Sequence, residues 1–197
     1  MKRHLPFALT TLRLLLGPIA LACALAGVTR FVFLPILITG TLSDIFDGVL
    51  ARKFGVATPR LRRYDSVADV IYYLFILAVA WFLCKPVIVL NRWAILLILL
   101  SEAGSIITSF VRFGKYPATH SYLAKIYGLC LLGGLIALLV FDASSWAVIA
   151  LAIVAVVTNA EIIAIHCKMN SPPVDVRSIF ALPSINGKRP SGLDDPF

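Results

Sequence analysis

The chain alternates between long apolar runs and short polar segments. Each run approaches or exceeds the roughly 20 apolar residues that a helix needs to cross a bilayer core. The pattern therefore predicts an all-α, polytopic membrane protein with six transmembrane helices. The predicted spans cover about residues 1–28, 29–52, 63–84, 87–111, 121–141 and 145–167. Within the first, Gly17 and Pro18 should kink or break the helix, so we expect its N-terminal part to lie partly in the membrane interface.

Residues 168–197 differ from the rest because prolines and glycines recur throughout them. Such a segment cannot sustain a helix or bury a core, which predicts a mostly disordered cytoplasmic tail. The predicted organisation is one six-helix membrane domain, residues 1–167, followed by this tail.

Composition supports a membrane protein, since 60% of the residues are hydrophobic and only 14% are charged. The formal net charge is +8, which at this hydrophobicity indicates anionic lipid or phosphate partners and not nucleic acid. Four cysteines lie scattered in or beside apolar runs without a paired spacing, and we expect buried thiols.

The distribution of cations predicts the orientation. If the N-terminus is cytoplasmic, fifteen of the eighteen lysines and arginines fall in cytoplasmic segments. This bias is typical of the cytoplasmic side of membrane proteins. We therefore expect an integral protein of the bacterial inner membrane, with both termini and the acidic segment described next on the cytoplasmic side.

The acidic segment spans residues 44–69 and holds four of the chain's ten acids. Asp44 and Asp47 are three residues apart and Asp65 and Asp69 are four apart, so each pair shares one face of a helix. The residues between the pairs are rich in turn formers and cations. The pattern predicts two antiparallel helix ends, each presenting two carboxylates across a short basic loop.

Four carboxylates brought that close require cations between them. Hard oxygen ligands suit Mg²⁺, Mn²⁺ or Ca²⁺, and the spacing suggests two ions roughly 3.5–4 Å apart that clamp a phosphate. The alternative is a solvated helix face. We favour the metal site because both pairs border strongly apolar runs, where ionisable residues are usually functional.

The segment resembles the signature of the CDP-alcohol phosphotransferase (CDP-alcohol phosphatidyltransferase) family, D-x-x-D-G-x-x-A-R-x8-G-x-x-x-D-x-x-x-D. The matching positions are Asp44, Asp47, Gly48, Ala51, Arg52, Asp65 and Asp69. The motif's second glycine is replaced by Leu61, which would fill space that a glycine leaves open. Near the N-terminus, Pro6, Leu9, Thr10 and Arg13 resemble the family's P-N-x-L-T-x-x-R start, although Phe7 replaces the asparagine.

The resemblance implies an enzyme of phospholipid biosynthesis. An alcohol hydroxyl would attack the lipid-linked phosphate of CDP-diacylglycerol, and CMP would leave. In family terms, two Mg²⁺ or Mn²⁺ ions are held by Asp44, Asp47, Asp65 and Asp69, and Asp69 is also the general base. The implied nucleotide contacts are Asp47, Gly48, Ala51 and Arg52, and the family tendency is a homodimer.

The acceptor alcohol is less defined. Size, the N-terminal pattern and a cationic loop most resemble the phosphatidylglycerophosphate synthases of this family, which implies glycerol 3-phosphate. The acceptor-binding candidates are Arg112, Lys115, His120 and Lys125. Inositol phosphate, serine or another alcohol remains open. Two further alternatives are a catalytically weak relative that acts as a binding or structural subunit, suggested by Leu61, and an ion transporter.

The fourth span carries a polar stripe, with Ser101, Ser105, Thr108 and Arg112 on one face and Glu102 at its border. One interpretation is a polar wall of the substrate cavity. The other is a hydrogen-bond network with Asn159 or Glu161 of the sixth span.

Overall fold

The structure, a computed structural model, describes residues 4–56, 58–114, 122–142 and 145–169. These residues contain six α-helices and no strand, which confirms the predicted all-α class. A 3-10 turn, Arg30–Val32, precedes the second helix. The helices are α1 (Leu5–Leu25), α2 (Phe33–Lys53), α3 (Pro59–Leu90), α4 (Arg92–Phe113), α5 (Tyr122–Leu139) and α6 (Ser145–Lys168). The predicted tail lies almost entirely outside the described residues.

All six helices are long and apolar enough to cross a membrane. Many large apolar side chains also point outward, among them Leu15, Leu74 and Val111. In water such a surface would be unfavourable, whereas against lipid it has no cost. The chain is therefore an integral membrane protein.

The structure differs from the predicted spans most clearly at two prolines, Pro18 and Pro86. α1 runs through Pro18 without the predicted break. Gly17 lies against α3, because a Cβ added to it would be 3.0 Å from Cδ2 of Phe75. This close packing against α3 favours a continuous α1 helix next to the proline. α3 continues to Leu90, beyond the predicted end at residue 84, but Cys84 has non-helical angles (φ −126°, ψ 27°). The predicted boundary is thus a kink, two residues before Pro86, whose ring and missing N–H disrupt the helix.

The chain forms two compact units. The first comprises residues 1–92 and 132–148, and the second comprises residues 93–131 and 149–197. In the first unit, α1 packs against both α2 and α3. The buried core of these three helices includes Ala20, Ala24, Phe33, Leu37, Tyr72, Ile76 and Val79.

The Tyr72 side chain of α3 reaches the backbone of α2 at Gly40. A Cβ at this position would lie 2.7 Å from Cζ of Tyr72 and would also meet its hydroxyl oxygen. Tyr72 is 2% exposed and follows Asp69 by three residues, so the two share one face of α3. Gly40 therefore leaves the space that the Tyr72 side chain occupies beside α2, one turn from Asp44.

At the other end of the first unit, Arg30 contacts α3 next to its kink. Its Nη1 forms an ion pair with Asp142 Oδ1 at 2.7 Å, and its Nη2 donates to the Leu83 carbonyl at 3.2 Å. The Cys84 thiol donates to the Leu138 carbonyl. All four cysteines are free. Cys84 is buried as predicted, whereas Cys23 and Cys130 are half-buried and Cys167 is exposed.

In the second unit, the polar stripe of α4 joins α6. Asn159 Nδ2 donates to Ser101 Oγ at 3.1 Å, which is the interhelical bond that one of the two interpretations predicted. The Ser105 and Thr108 hydroxyls donate to carbonyls of their own helix. These contacts support a packing role for the stripe.

We expect Gly40→Ala to destabilise the protein by about 1–3 kcal/mol, because overpacking a close helix contact forces side chains or backbone to shift. Gly128→Ala is the matched control, since a Cβ there meets nothing within 4 Å and alanine favours the helix. Thermal unfolding in detergent measures both. A Gly40→Ala variant as stable as its control would contradict the close approach.

Candidate active site

The four predicted aspartates lie on two helices joined by a short connection. Asp44 and Asp47 lie in the last turns of α2, and Asp65 and Asp69 lie in the first turns of α3. Between them, Gly55 adopts a positive φ of 66° that turns the chain away from α2, and this conformation favours glycine. The Thr58 side chain then caps the N-terminus of α3. The paired helix ends follow the sequence prediction.

A single arginine from α1 brings the two pairs together. The Arg13 side chain is 1% exposed, and its guanidinium forms ion pairs with all four aspartates. Nη1 lies 2.8 Å from Asp69 Oδ1 and also contacts Asp44. Nη2 lies 3.4 Å from Asp47 Oδ2 and also contacts Asp65. α1 can supply this contact because it packs against both α2 and α3.

Three of the aspartates form the tightest group. One carboxylate oxygen from each of Asp44, Asp47 and Asp65 lies within 4.8 Å of the others. Asp69 is outside this group and shares Arg13 with it. Burial differs widely: the Asp47 side chain is 4% exposed, whereas that of Asp44 is 49% exposed. The cluster therefore has one buried side, around Asp47, and one open side.

The Oδ1 oxygen of Asp69 differs from the other buried aspartate oxygens in its hydrogen bonding. This oxygen is buried and pairs with Arg13 by charge, yet it accepts no hydrogen bond of proper geometry from any residue that the structure describes. A buried carboxylate oxygen without a hydrogen bond is uncommon. It retains the capacity to accept a proton or to bind a cation.

Thr10 also contacts Asp47, the most buried of the four aspartates. Its Oγ1 lies 3.0 Å from Asp47 Oδ2 and 3.1 Å from the carbonyl oxygen of Pro6. A hydroxyl has one proton, so the two acceptors share it. Thr10 and Arg13 are three residues apart and face the cluster together.

An aromatic pair lies next to the cluster. The rings of Phe7 and Tyr64 stack with centroids 4.8 Å apart, and the Tyr64 hydroxyl is 3.0 Å from Thr11 Oγ1. Tyr64 immediately precedes Asp65. Phe7, which replaces the asparagine of the N-terminal pattern, thus joins α1 to the start of α3.

The predicted nucleotide contacts lie together on α2. Arg52 Nη1 lies 3.8 Å from the position that a Cβ on Gly48 would take, so the exposed guanidinium lies over the glycine. Ala51 is buried at 8% exposure. A small residue beside a cation and two carboxylates leaves room for a phosphate-bearing ligand. Whether one binds there stays a prediction.

The predicted acceptor residues belong to the second unit. Arg112 donates to the carbonyls of Cys167 and Met169, at 2.6 and 3.4 Å, and so caps the C-terminal end of α6. The ammonium of Lys125 lies 5.8 Å from the centroid of the Tyr122 ring. Lys115 and His120 lie outside the described residues. Acceptor binding by these four residues stays a prediction.

Sequence reasoning assigned no site role to Arg13 or Thr10. The available signal was the position of Arg13 within an apolar run, because a charged residue inside a membrane helix needs a partner. The acids of the first three spans were the obvious partners. Nothing in the spacing, however, specified that one guanidinium would meet all four.

The chain matches the family model described as CDP-alcohol phosphatidyltransferase over residues 3–158. It therefore belongs to this family of membrane phosphotransferases, which act in phospholipid biosynthesis by transferring a phosphatidyl group from a CDP-alcohol to an acceptor. The match confirms the resemblance and does not support the ion-transport alternative. Searches of curated proteins and of solved structures gave no match.

Members of the family use divalent metals, and the residues present fit such ions. Carboxylate oxygens are the hard ligands that Mg²⁺ and Mn²⁺ prefer. Three converge within 4.8 Å, and Asp69 contributes a buried oxygen that accepts no hydrogen bond from the described residues. Among the ion pairs of the described residues, one guanidinium faces four carboxylates, which favours the binding of further cations.

We expect Thr10→Val to destabilise the protein by about 1–3 kcal/mol, because the buried Asp47 loses a hydrogen bond and valine keeps the shape of threonine. Thr11→Val is the matched control. It removes a hydroxyl from the next residue, whose Tyr64 partner is only part-buried, so water can replace the bond. Equal unfolding temperatures for the two variants in detergent would contradict the role of Thr10.

Proposed function

We propose that the protein transfers a phosphatidyl group from CDP-diacylglycerol to the hydroxyl of glycerol 3-phosphate and releases CMP. The observation that carries the proposal is the convergence of four aspartates from α2 and α3 on one buried point, at the spacing of the family signature. Two divalent cations, Mg²⁺ or Mn²⁺, would neutralise the diphosphate and the charge that develops on the transferring group. Asp44, Asp47, Asp65 and Asp69 would hold them.

Asp69 is the proposed general base. The acceptor oxygen attacks the lipid-linked phosphorus, its proton passes to a carboxylate oxygen of Asp69, and the bond from phosphorus to the CMP oxygen breaks. A base must offer a free acceptor atom within hydrogen-bond reach. Among the buried aspartate oxygens of the described residues, Asp69 Oδ1 accepts no hydrogen bond and contacts Arg13 as an ion pair.

Gly48, Ala51 and Arg52 are the proposed nucleotide contacts, together with Asp47. The small side chains on α2 would admit the cytidine, and the Arg52 guanidinium over Gly48 would pair with the diphosphate. Arginine suits this role because its planar fork matches phosphate oxygens.

Charge and family resemblance support the choice of acceptor. Glycerol 3-phosphate is anionic, and the α4–α5 segment with its flanks holds four candidate donors, Arg112, Lys115, His120 and Lys125. The bias of cations along the chain favours a cytoplasmic position for the aspartates and both termini, as in a bacterial inner-membrane enzyme. We further propose that residues 1–167 form the catalytic domain, that residues 168–197 form a separate tail and that the protein is a homodimer.

A catalytically weak relative is the second candidate, because Leu61 replaces the motif's glycine. Leu61 lies in the first turn of α3, where its N–H donates to Thr58 Oγ1 at 3.2 Å. Its backbone is not among those with positive φ, so its conformation does not require glycine. The substitution therefore affects the space available to a ligand and leaves the backbone intact.

The first test is CMP release by the purified protein in detergent, with CDP-diacylglycerol, Mg²⁺ or Mn²⁺, and a panel of alcohols. We expect release with glycerol 3-phosphate and a loss of about 10²–10⁴-fold in kcat for Asp69→Asn, the usual contribution of a general base. Asp142→Asn is the control, since Asp142 pairs with Arg30 away from the cluster, and it should retain activity.

Release with inositol phosphate or serine alone would replace the proposed acceptor. Full activity of Asp69→Asn would contradict its role as base. Nucleotide binding without release for any alcohol would favour the weak relative, and Leu61→Gly should then restore release by opening the space at the motif position.

The Gly48→Ala variant tests ligand binding at this face of α2 without lowering the stability of the fold. A Cβ at Gly48 would meet Arg52 Nη1 at 3.8 Å, an ordinary contact, and alanine favours a helix over glycine by about 1 kcal/mol. We therefore expect a protein as stable as the parent, or more so, whose kcat/KM for the CDP-lipid falls by about 10²-fold because the nucleotide is displaced.

Gly133→Ala is the control for this pair of measurements, because a Cβ there meets nothing within 4 Å. It should gain helix stability and keep its activity. Unchanged kcat/KM in Gly48→Ala would show that the nucleotide does not approach this face of α2.

A further inference from the structure

Arg13 occupies the point on which the four aspartates converge. Its side chain is 1% exposed and contacts carboxylate oxygens of all four. The guanidinium is not paired in a fork with one aspartate, as in a common arginine–carboxylate pair. Nη1 bridges Asp44 to Asp69 and Nη2 bridges Asp47 to Asp65, so each nitrogen joins α2 to α3.

Arg13 contacts the same aspartates that would hold a metal. The tight group of Asp44, Asp47 and Asp65 includes three of its four partners, and its Nη1 lies 2.8 Å from Asp69 Oδ1. Mg²⁺ binds carboxylate oxygens at about 2.0–2.1 Å. An ion that binds at such short distances would therefore compete with the guanidinium for these carboxylates.

We propose that Arg13 is the resident counter-cation of the metal-free site, and that its guanidinium leaves the space between the aspartates when divalent cations bind. The inference rests on the proposed metal-dependent function. In this role Arg13 is a positioning residue. It keeps four like charges converged before the metals arrive, so that metal binding exchanges one set of cations for another.

Two contacts near the cluster do not depend on the Arg13 guanidinium. Thr10 holds Asp47 independently, through the bond of 3.0 Å from its hydroxyl, and Thr58 caps α3. Asp44 is 49% exposed and Asp65 is 33% exposed, so the cluster opens on one side. Arginine has a long flexible stem that lets its head move while its Cα remains in place.

The alternative is that Arg13 stays as a permanent partner of the aspartates and orients them around the metals. In that case its guanidinium would contact the carboxylate oxygens that face away from the ions, and the other oxygens would bind the ions. The contacts of one guanidinium with all four aspartates, from both α2 and α3, favour exchange. The two roles predict different chemical reactivity of Arg13 in the loaded protein.

The test is modification of arginine by phenylglyoxal in the purified parent protein, with and without Mn²⁺ and without lipid substrate. Mass spectrometry follows Arg13 and, in the same sample, Arg30, whose ion pair with Asp142 is remote from the cluster. We expect Mn²⁺ to raise the rate at Arg13 by about tenfold or more, since its buried ion pairs are broken, and to leave Arg30 unchanged. Continued protection of Arg13 in protein that binds Mn²⁺ would overturn the exchange.

A second measurement is the Mn²⁺ affinity of Arg13→Met, which removes the competing charge and keeps much of the side-chain volume. We expect Mn²⁺ to bind at least about tenfold more tightly than to the parent, with Arg30→Met unchanged. Weaker binding would overturn the inference and assign Arg13 the orienting role. A parent that binds no Mn²⁺ would overturn both this inference and the proposed metal dependence.

Discussion

Four carboxylates gathered on membrane helices require positive charge beside them, and within the described part of the chain the buried Arg13 contacts all four. Arg13 meets all four aspartates, yet one guanidinium cancels one charge of four. The remaining imbalance is tolerable because Asp44, Asp65 and Asp69 retain exposure of about a third or more. A cluster with this surplus of negative charge and an open side is prepared for cations.

The geometry of the cluster depends on how closely three helices pack. α1 contacts both α2 and α3, Gly17 admits the Phe75 ring, and Gly40 admits Tyr72. Small residues allow such approaches between membrane helices, where lipid offers no hydrophobic driving force for association. Packing of apolar side chains therefore sets the distances at which the charges meet, and the site's chemistry follows from that packing.

The sequence predicted the parts of this arrangement that depend on local pattern. Apolar length defined six helices, and spacing placed each aspartate pair on one helix face. The contacts of Arg13 and Thr10 with the cluster were not predictable in this way, because the choice of partner across three helices is a tertiary property. The predicted break at Pro18 and the predicted end of the third span at residue 84 differ from the structure for a related reason. A proline removes one hydrogen bond from a helix, and neighbouring packing decides whether the helix continues, as in α1, or kinks, as at Cys84.

The most direct measurement is an experimental structure of the protein with Mn²⁺ and a CDP-lipid, in which anomalous scattering locates the manganese. Our account predicts manganese between Asp44, Asp47, Asp65 and Asp69, the diphosphate beside Gly48 and Arg52, and the Arg13 guanidinium outside the cluster. Manganese bound elsewhere, with Arg13 still holding all four carboxylates, would contradict it.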